Sequence, residues 1–135
     1  MLADLARTAD KAVVITEGLL LYLTEQNVAD LASDLQRTAA VQWWLADYYD
    51  IAALGAEGDE WRRSMERSNA GLRFMPGDGP AFFPRHGWRM TDQKDLMAEA
   101  ARLGRLPPDV PSAGTPPWAT RGFWDGSRIL RLERA

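Results

Sequence analysis

The chain contains no cysteine and a single histidine, His86. Without cysteine there is no disulfide, no thiolate-bound zinc, no iron–sulfur cluster and no thiol nucleophile. One histidine cannot supply a multi-histidine metal site, although carboxylate-only sites stay open. Nor is there an excess of positive charge. Sixteen basic residues stand against nineteen acidic ones, a net charge of -3 and a pI near 5.1, which argues against a dedicated nucleic-acid binder. Long apolar runs are missing too. The longest, Ala12 to Leu23, is interrupted by Thr16 and Glu17 and falls short of the roughly 20 residues of a membrane span. The opening Met1-Leu-Ala-Asp carries an early acid and lacks the basic start of a signal peptide. No GxxxxGK[ST], GxGxxG, GxSxG or HExxH string occurs, so the glycines around Gly77 and Gly79 form no recognised phosphate loop. The lack of cysteine fits a reducing cytoplasm, the expected location.

What is present suits one globular domain. The 135 residues are 46% hydrophobic, enough to bury a sizeable core without a covalent or metal staple. Charge is uneven: residues 1–60 hold three bases against eleven acids, and residues 61–135 hold thirteen bases against eight acids. An acidic face packed beside a basic one accounts for this, and the scattered C-terminal arginines make only a weak anion signal.

Leu2 to Ala9 is compatible with a short helix. Ala12-Val-Val-Ile15 then reads as a strand buried on both faces, as in a parallel sheet, ending at Thr16-Glu17-Gly18. Thr24 is a good N-cap for a helix from about Glu25 to Thr38, with Glu25 in the first turn and Val28, Leu31, Ala32 and Leu35 forming one apolar stripe. Val41 to Ala46 reads as a second strand closed by Asp47. Strand, helix, strand with short connections is a βαβ unit with parallel strands. Residues 48–56 are read as helical or irregular. Asp59 is the expected cap of a helix carrying Trp61 and Met65, ended by Asn69-Ala-Gly71. Residues 75–80 read as a loop, His86 to Met90 as a short strand, and Thr91 as the cap of a further helix with Leu96, Met97, Ala100, Ala101 and Leu103 as its face. Gly104 and Pro107-Pro108 stop that helix. Residues 107–119 read as a linker, Asp125-Gly126 as a turn, and Ser127 to Leu132 as the last strand.

In parallel α/β sheets, ligands bind beyond the carboxyl ends of the strands. Two acids stand at such ends: Glu17 after the first strand and Asp47 after the second. Gly18 beside Glu17 has no Cβ, so a ligand can come close to the backbone there. His86 reads as an exposed turn residue, and Arg102 and Arg105 as partners of a helix C-terminus. Trp43 and Trp44 face opposite sides of their strand, so one enters the core and the other needs different cover.

Val14-Ile-Thr-Glu-Gly-Leu-Leu-Leu-Tyr-Leu23 resembles the signature of the leucine carboxyl methyltransferase-like family, a buried strand followed by E-G-L-L-x-Y-L. Phe82-Phe83, Gly87-Trp88 and Arg102-Leu-Gly-Arg105 look like that family's later segment. The resemblance implies an α/β fold, the C-terminal half of a Rossmann-like class I methyltransferase sheet. Such a half is mostly parallel, with the final strand antiparallel between two others. Residues 1–135 would then be a partial domain without the glycine-rich N-terminal half. The implied activity is S-adenosylmethionine-dependent O-methylation of a carboxylate or hydroxyl on a small molecule, inactive without the missing half. The alternative is a non-enzymatic remnant or interaction module of the same fold. By the same resemblance Glu17 and Gly18 lie at the cofactor, near its methionine end, and Tyr22 lies on the substrate side. Alignment of acceptor and methyl group supplies most of the catalysis in such transfers, so no catalytic base is assigned. A half-sheet would leave the first strand with an unpaired edge, and such edges template pairing. The expectation is self-pairing, or pairing with a separate N-terminal half.

Overall fold

The computed structural model describes residues 9–50, 55–67, 71–105 and 126–135, with the side chains of Glu57 and Trp61 outside the description. Four strands form one open mixed sheet in the order β1-β2-β4-β3. β1 (Ala12–Thr16) and β2 (Val41–Tyr49) are parallel. β4 (Ser127–Arg134) runs antiparallel to both β2 and β3 (Trp88–Asp95). Three strands therefore share one direction and the last is inserted against them.

The helix α1 (Glu25–Arg37) links β1 to β2. Its start is fixed by a capping box: the Thr24 hydroxyl accepts from the Asn27 N–H at 3.1 Å, and the Asn27 amide oxygen accepts from the Thr24 N–H at 3.3 Å. Val28, Ala32 and Leu35 are buried, four and three residues apart on one face. They cover one side of the sheet, where Trp44 is fully buried. Its ring meets Phe83 and Trp88 edge-on, with centroids 5.4 and 5.6 Å away, a geometry that aromatic quadrupoles favour. Buried indole N–H groups need acceptors. Trp44 Nε1 donates to Thr16 Oγ1 at 3.0 Å, and Trp88 Nε1 donates to the Ala32 carbonyl at 3.1 Å. The first of these bonds ties the end of β1 to β2.

The remaining helices are α2 (Gly55–Arg67), α3 (Phe82–Arg85) and α4 (Leu96–Arg102), with 3₁₀ turns at Leu20–Tyr22 and Gly79–Ala81. Gly104 (φ +65°) follows α4, its N–H donating to the Ala101 carbonyl, as its role as a stop requires.

Several boundaries differ from the sequence reading. β1 is not buried on both faces: Val13 is 51% and Ile15 65% exposed, because β1 is an edge strand and its second face has no cover among the described residues. β2 runs on through Asp47 to Tyr49, since Tyr48 and Tyr49 find ladder partners in Arg128 and Ser127. Asp59 lies inside α2, which begins at Gly55, and pairs with Arg62 instead of capping. Thr91 lies within β3. Pairing with β4 carries that strand on to Asp95, and Asp95 takes the cap, accepting from the Ala98 N–H at 2.8 Å. Leu103 and Ala101 are exposed, leaving Met97 as the buried residue of α4. β4 extends to Arg134. Residues 2–8 of the expected helix and the linker at 107–119 lie outside the described residues, and Ala9 is not helical. Among those residues no helix is long and apolar enough to cross a membrane.

Candidate functional site

A cavity of about 390 Å³ opens where β1 and β2 end and β4 begins. Its lining includes Ile15, Glu17 and Gly18 from β1 and its turn, Asp47 and Tyr49 from β2, and Ser127 from β4. Strand-end position explains this convergence. Two parallel strands finish on the same side of the sheet, and an antiparallel neighbour must begin there.

Asp47 organises the turn after β1. Its Oδ2 accepts from the Gly18 N–H at 2.6 Å across 29 residues of sequence. Gly18 has φ +60°, a left-handed conformation that glycine adopts without strain. A Cβ at Gly18 would meet no atom within 4 Å. Within this chain, then, glycine is required by backbone conformation and not by crowding; the clearance beside it is open.

Burial raises the Asp47 carboxyl above its ordinary value of 3.8. The Gly18 hydrogen bond works against that shift and the Glu17 charge reinforces it. The neighbouring Tyr49 phenol is pushed up to about 12, mainly by burial and then by the charge of Asp47. Asp47 Oδ1 is buried and makes no well-formed hydrogen bond among the described residues, and the same holds for Ser127 Oγ in the same cavity wall. Buried polar atoms normally have partners; the Tyr49 side chain interacts with the Asp47 carboxylate by hydrogen bonding, which leaves Ser127 Oγ as the polar atom of this wall that a bound group could satisfy. Asp95 completes the frame: one oxygen caps α4 and the other accepts from Arg128 at 2.9 Å, which sets Leu96 over the cavity.

The sequence-predicted residues divide. Glu17, exposed, and Gly18 stand together at the mouth of this cavity. Tyr22, 44% exposed in the following 3₁₀ turn, does not line it, although its phenol contributes to the raised value of Tyr49. His86 is half-buried, not an exposed turn residue, with its ring 4.4 Å from that of Phe82. Trp43 and Trp44 split as alternation requires, Trp44 into the core and Trp43 half-buried on the other face. Sequence reasoning placed Asp47 at a strand end but carried no signal for its bond to Gly18. Nothing in the sequence marked Ser127 as a cavity residue.

No protein-family model and no curated protein matches this sequence. The reading of the site therefore rests on its own geometry and on the resemblance in residues 14–23. Among the described residues no group of three or more His, Asp or Glu side chains could hold a metal. A cationic organic group would suit the cavity mouth better. Two carboxylates, one exposed and one half-buried, stand close enough for the charge of Glu17 to act on Asp47, and such a pair attracts positive charge.

Proposed function

We propose that this chain is the C-terminal half of an S-adenosylmethionine-dependent O-methyltransferase of the Rossmann-like, leucine carboxyl methyltransferase-like type. It works together with a glycine-rich half and acts on a carboxylate or hydroxyl of a small molecule. One observation carries the reading. The last strand is reversed and inserted between two strands of the opposite direction, and Glu17 of the E-G-L-L-x-Y-L string stands at the carboxyl end of β1, at the mouth of the cavity. The mixed sheet is compatible with that fold, and the motif lies at the strand end where the reading needs it.

Three further points support it. S-adenosylmethionine carries a positively charged sulfonium and an ammonium, to which Glu17 and Asp47 are complementary; bound, it would supply the activated methyl group. Gly18 leaves open space beside the Glu17 backbone. Tyr22 follows on an exposed turn, a position open to an acceptor. The residues present make only one wall of a nucleotide site, and no glycine-rich loop or ribose-holding acid stands among them. The partner half would bring these, pairing with the free edge of β1 and covering Val13 and Ile15.

Calorimetric titration with S-adenosylhomocysteine tests the reading. This chain is titrated alone and mixed with the product of a neighbouring reading frame that ends in a glycine-rich strand–loop–helix. Heat is expected only from the mixture. Glu17→Ala should weaken that binding about tenfold or more, the usual effect of losing a hydrogen bond to a charged group. Heat from this chain alone would overturn its dependence on a partner. Absence of heat from both would favour a non-enzymatic module of the same fold, and unchanged affinity in Glu17→Ala would remove that residue from the site.

A further inference from the structure

The two edges of the sheet are unlike. β3, at one end, presents Arg89, Thr91, Asp92, Gln93 and Lys94, all exposed. Charged side chains of this kind blunt an edge against pairing. β1, at the other end, reads Ala-Val-Val-Ile-Thr with no charge inside the strand, and its exposed Val13 and Ile15 have no cover among the described residues. Charges stand only at its borders: Lys11 before it and Glu17 after it, both exposed. Neither has an ion-pair partner among the described residues.

We infer that two copies of the 135-residue chain pair through β1, antiparallel about a two-fold axis centred on Val14. The register follows from three conditions. A two-fold pairing of a strand with itself is antiparallel and self-complementary. Opposed residues share a face, so joining the two exposed apolar patches requires each residue to oppose one of like parity. Centring on Val14 sets Val13 opposite Ile15 of the second copy and overlaps all five strand residues. It also brings Lys11, in the bend just before the strand, near Glu17 of the other copy, just after it. Centring on Val13 or Ile15 keeps the faces together but loses both ion pairs and shortens the ladder. The result is one eight-stranded sheet whose two outer edges are the charged β3 strands, so the assembly closes at two copies and does not propagate.

The proposal deepens the functional reading and rests on the same strand. Self-pairing takes the edge that the glycine-rich half would use and engages the carboxylate assigned to the cofactor, so the two assemblies exclude each other.

Sedimentation equilibrium on the 135-residue chain tests this, with Lys11→Glu, Glu17→Lys and the double exchange. A concentration-dependent dimer is expected. Each single reversal creates two like-charge contacts at the interface and should weaken the dimer about tenfold. The double exchange should restore it. Carbodiimide coupling of a mixture of ¹⁴N and ¹⁵N chains should yield mixed-isotope peptides joining Lys11 to Glu17; the chain has only one other lysine, Lys94. A monomer at roughly 1 mM, a double exchange that stays weak, or crosslinks joining other positions overturns the proposal. Failure of the functional reading looks different: a dimer with these properties, together with no S-adenosylhomocysteine heat from the reconstituted pair, leaves this inference standing and removes that one.

Discussion

On one face of the sheet Trp44, Trp88, Leu130 and Leu132 are sealed beneath α1 and Phe83 of α3. On the other, Val13 and Ile15 lie open and Asp47 looks into a cavity. The same two strands, β1 and β2, serve both faces. A continuous apolar run in a sequence therefore states a capacity for burial, and the described residues cover only one side of it at β1. Unfinished packing and candidate chemistry fall on the same side. Trp44→Ala should cost about 3–5 kcal/mol, because it opens a cavity at the centre of the aromatic cluster and leaves Thr16 Oγ1 without its donor. Ile15→Thr, which keeps a β-branched side chain at an exposed position, should stay within about 0.5 kcal/mol. Urea unfolding of both variants at low protein concentration measures the contrast. Similar losses would mean that the second face is covered after all.

A smaller effect separates conformation from contact at the boundary between the faces. Gly18 has a left-handed backbone and open space around it, so Gly18→Ala should cost about 1–2 kcal/mol through strain alone. Gly18→Asn should cost less, since asparagine tolerates that region better. Equal penalties would point to a clash that the geometry does not show, and no penalty would mean that the turn relaxes away from Asp47.

The covered face was legible in sequence and the open one was not. Thr24 and the Val28–Leu35 stripe announced α1 because capping and period are local properties. The βαβ unit followed from short connections, and the reversed last strand from the resemblance. Thr91 misled because a good cap residue can equally sit in an edge strand; ladder pairing with β4 decided the matter in favour of Asp95. Asp47 was visible as a strand-end acid, but its partner lies 29 residues away and depends on how β1 and β2 align. Ser127 became a cavity residue only because β4 starts beside the end of β2, a fact of topology with no trace in its neighbours.

The smallest predicted effect tests whether the open face already feels burial. Raised above 3.8 mainly by desolvation, the Asp47 carboxyl holds its proton more tightly in the folded chain than in the unfolded one. Its contribution to stability is therefore fully present below pH 3.8 and is lost as pH rises through the higher folded value. Asp47→Asn keeps an oxygen able to accept from the Gly18 N–H but does not titrate. Unfolding of both proteins by urea across this range should show the wild-type advantage over Asp47→Asn shrinking as pH climbs past 3.8. A difference that grows with pH would mean that the Gly18 hydrogen bond outweighs desolvation and that the carboxylate is stabilised in place. Covering the open face with a partner would deepen the burial of Asp47. The window of loss should then move to higher pH in the assembly than in the single chain, which makes this carboxyl a reporter of whether the second face has been closed.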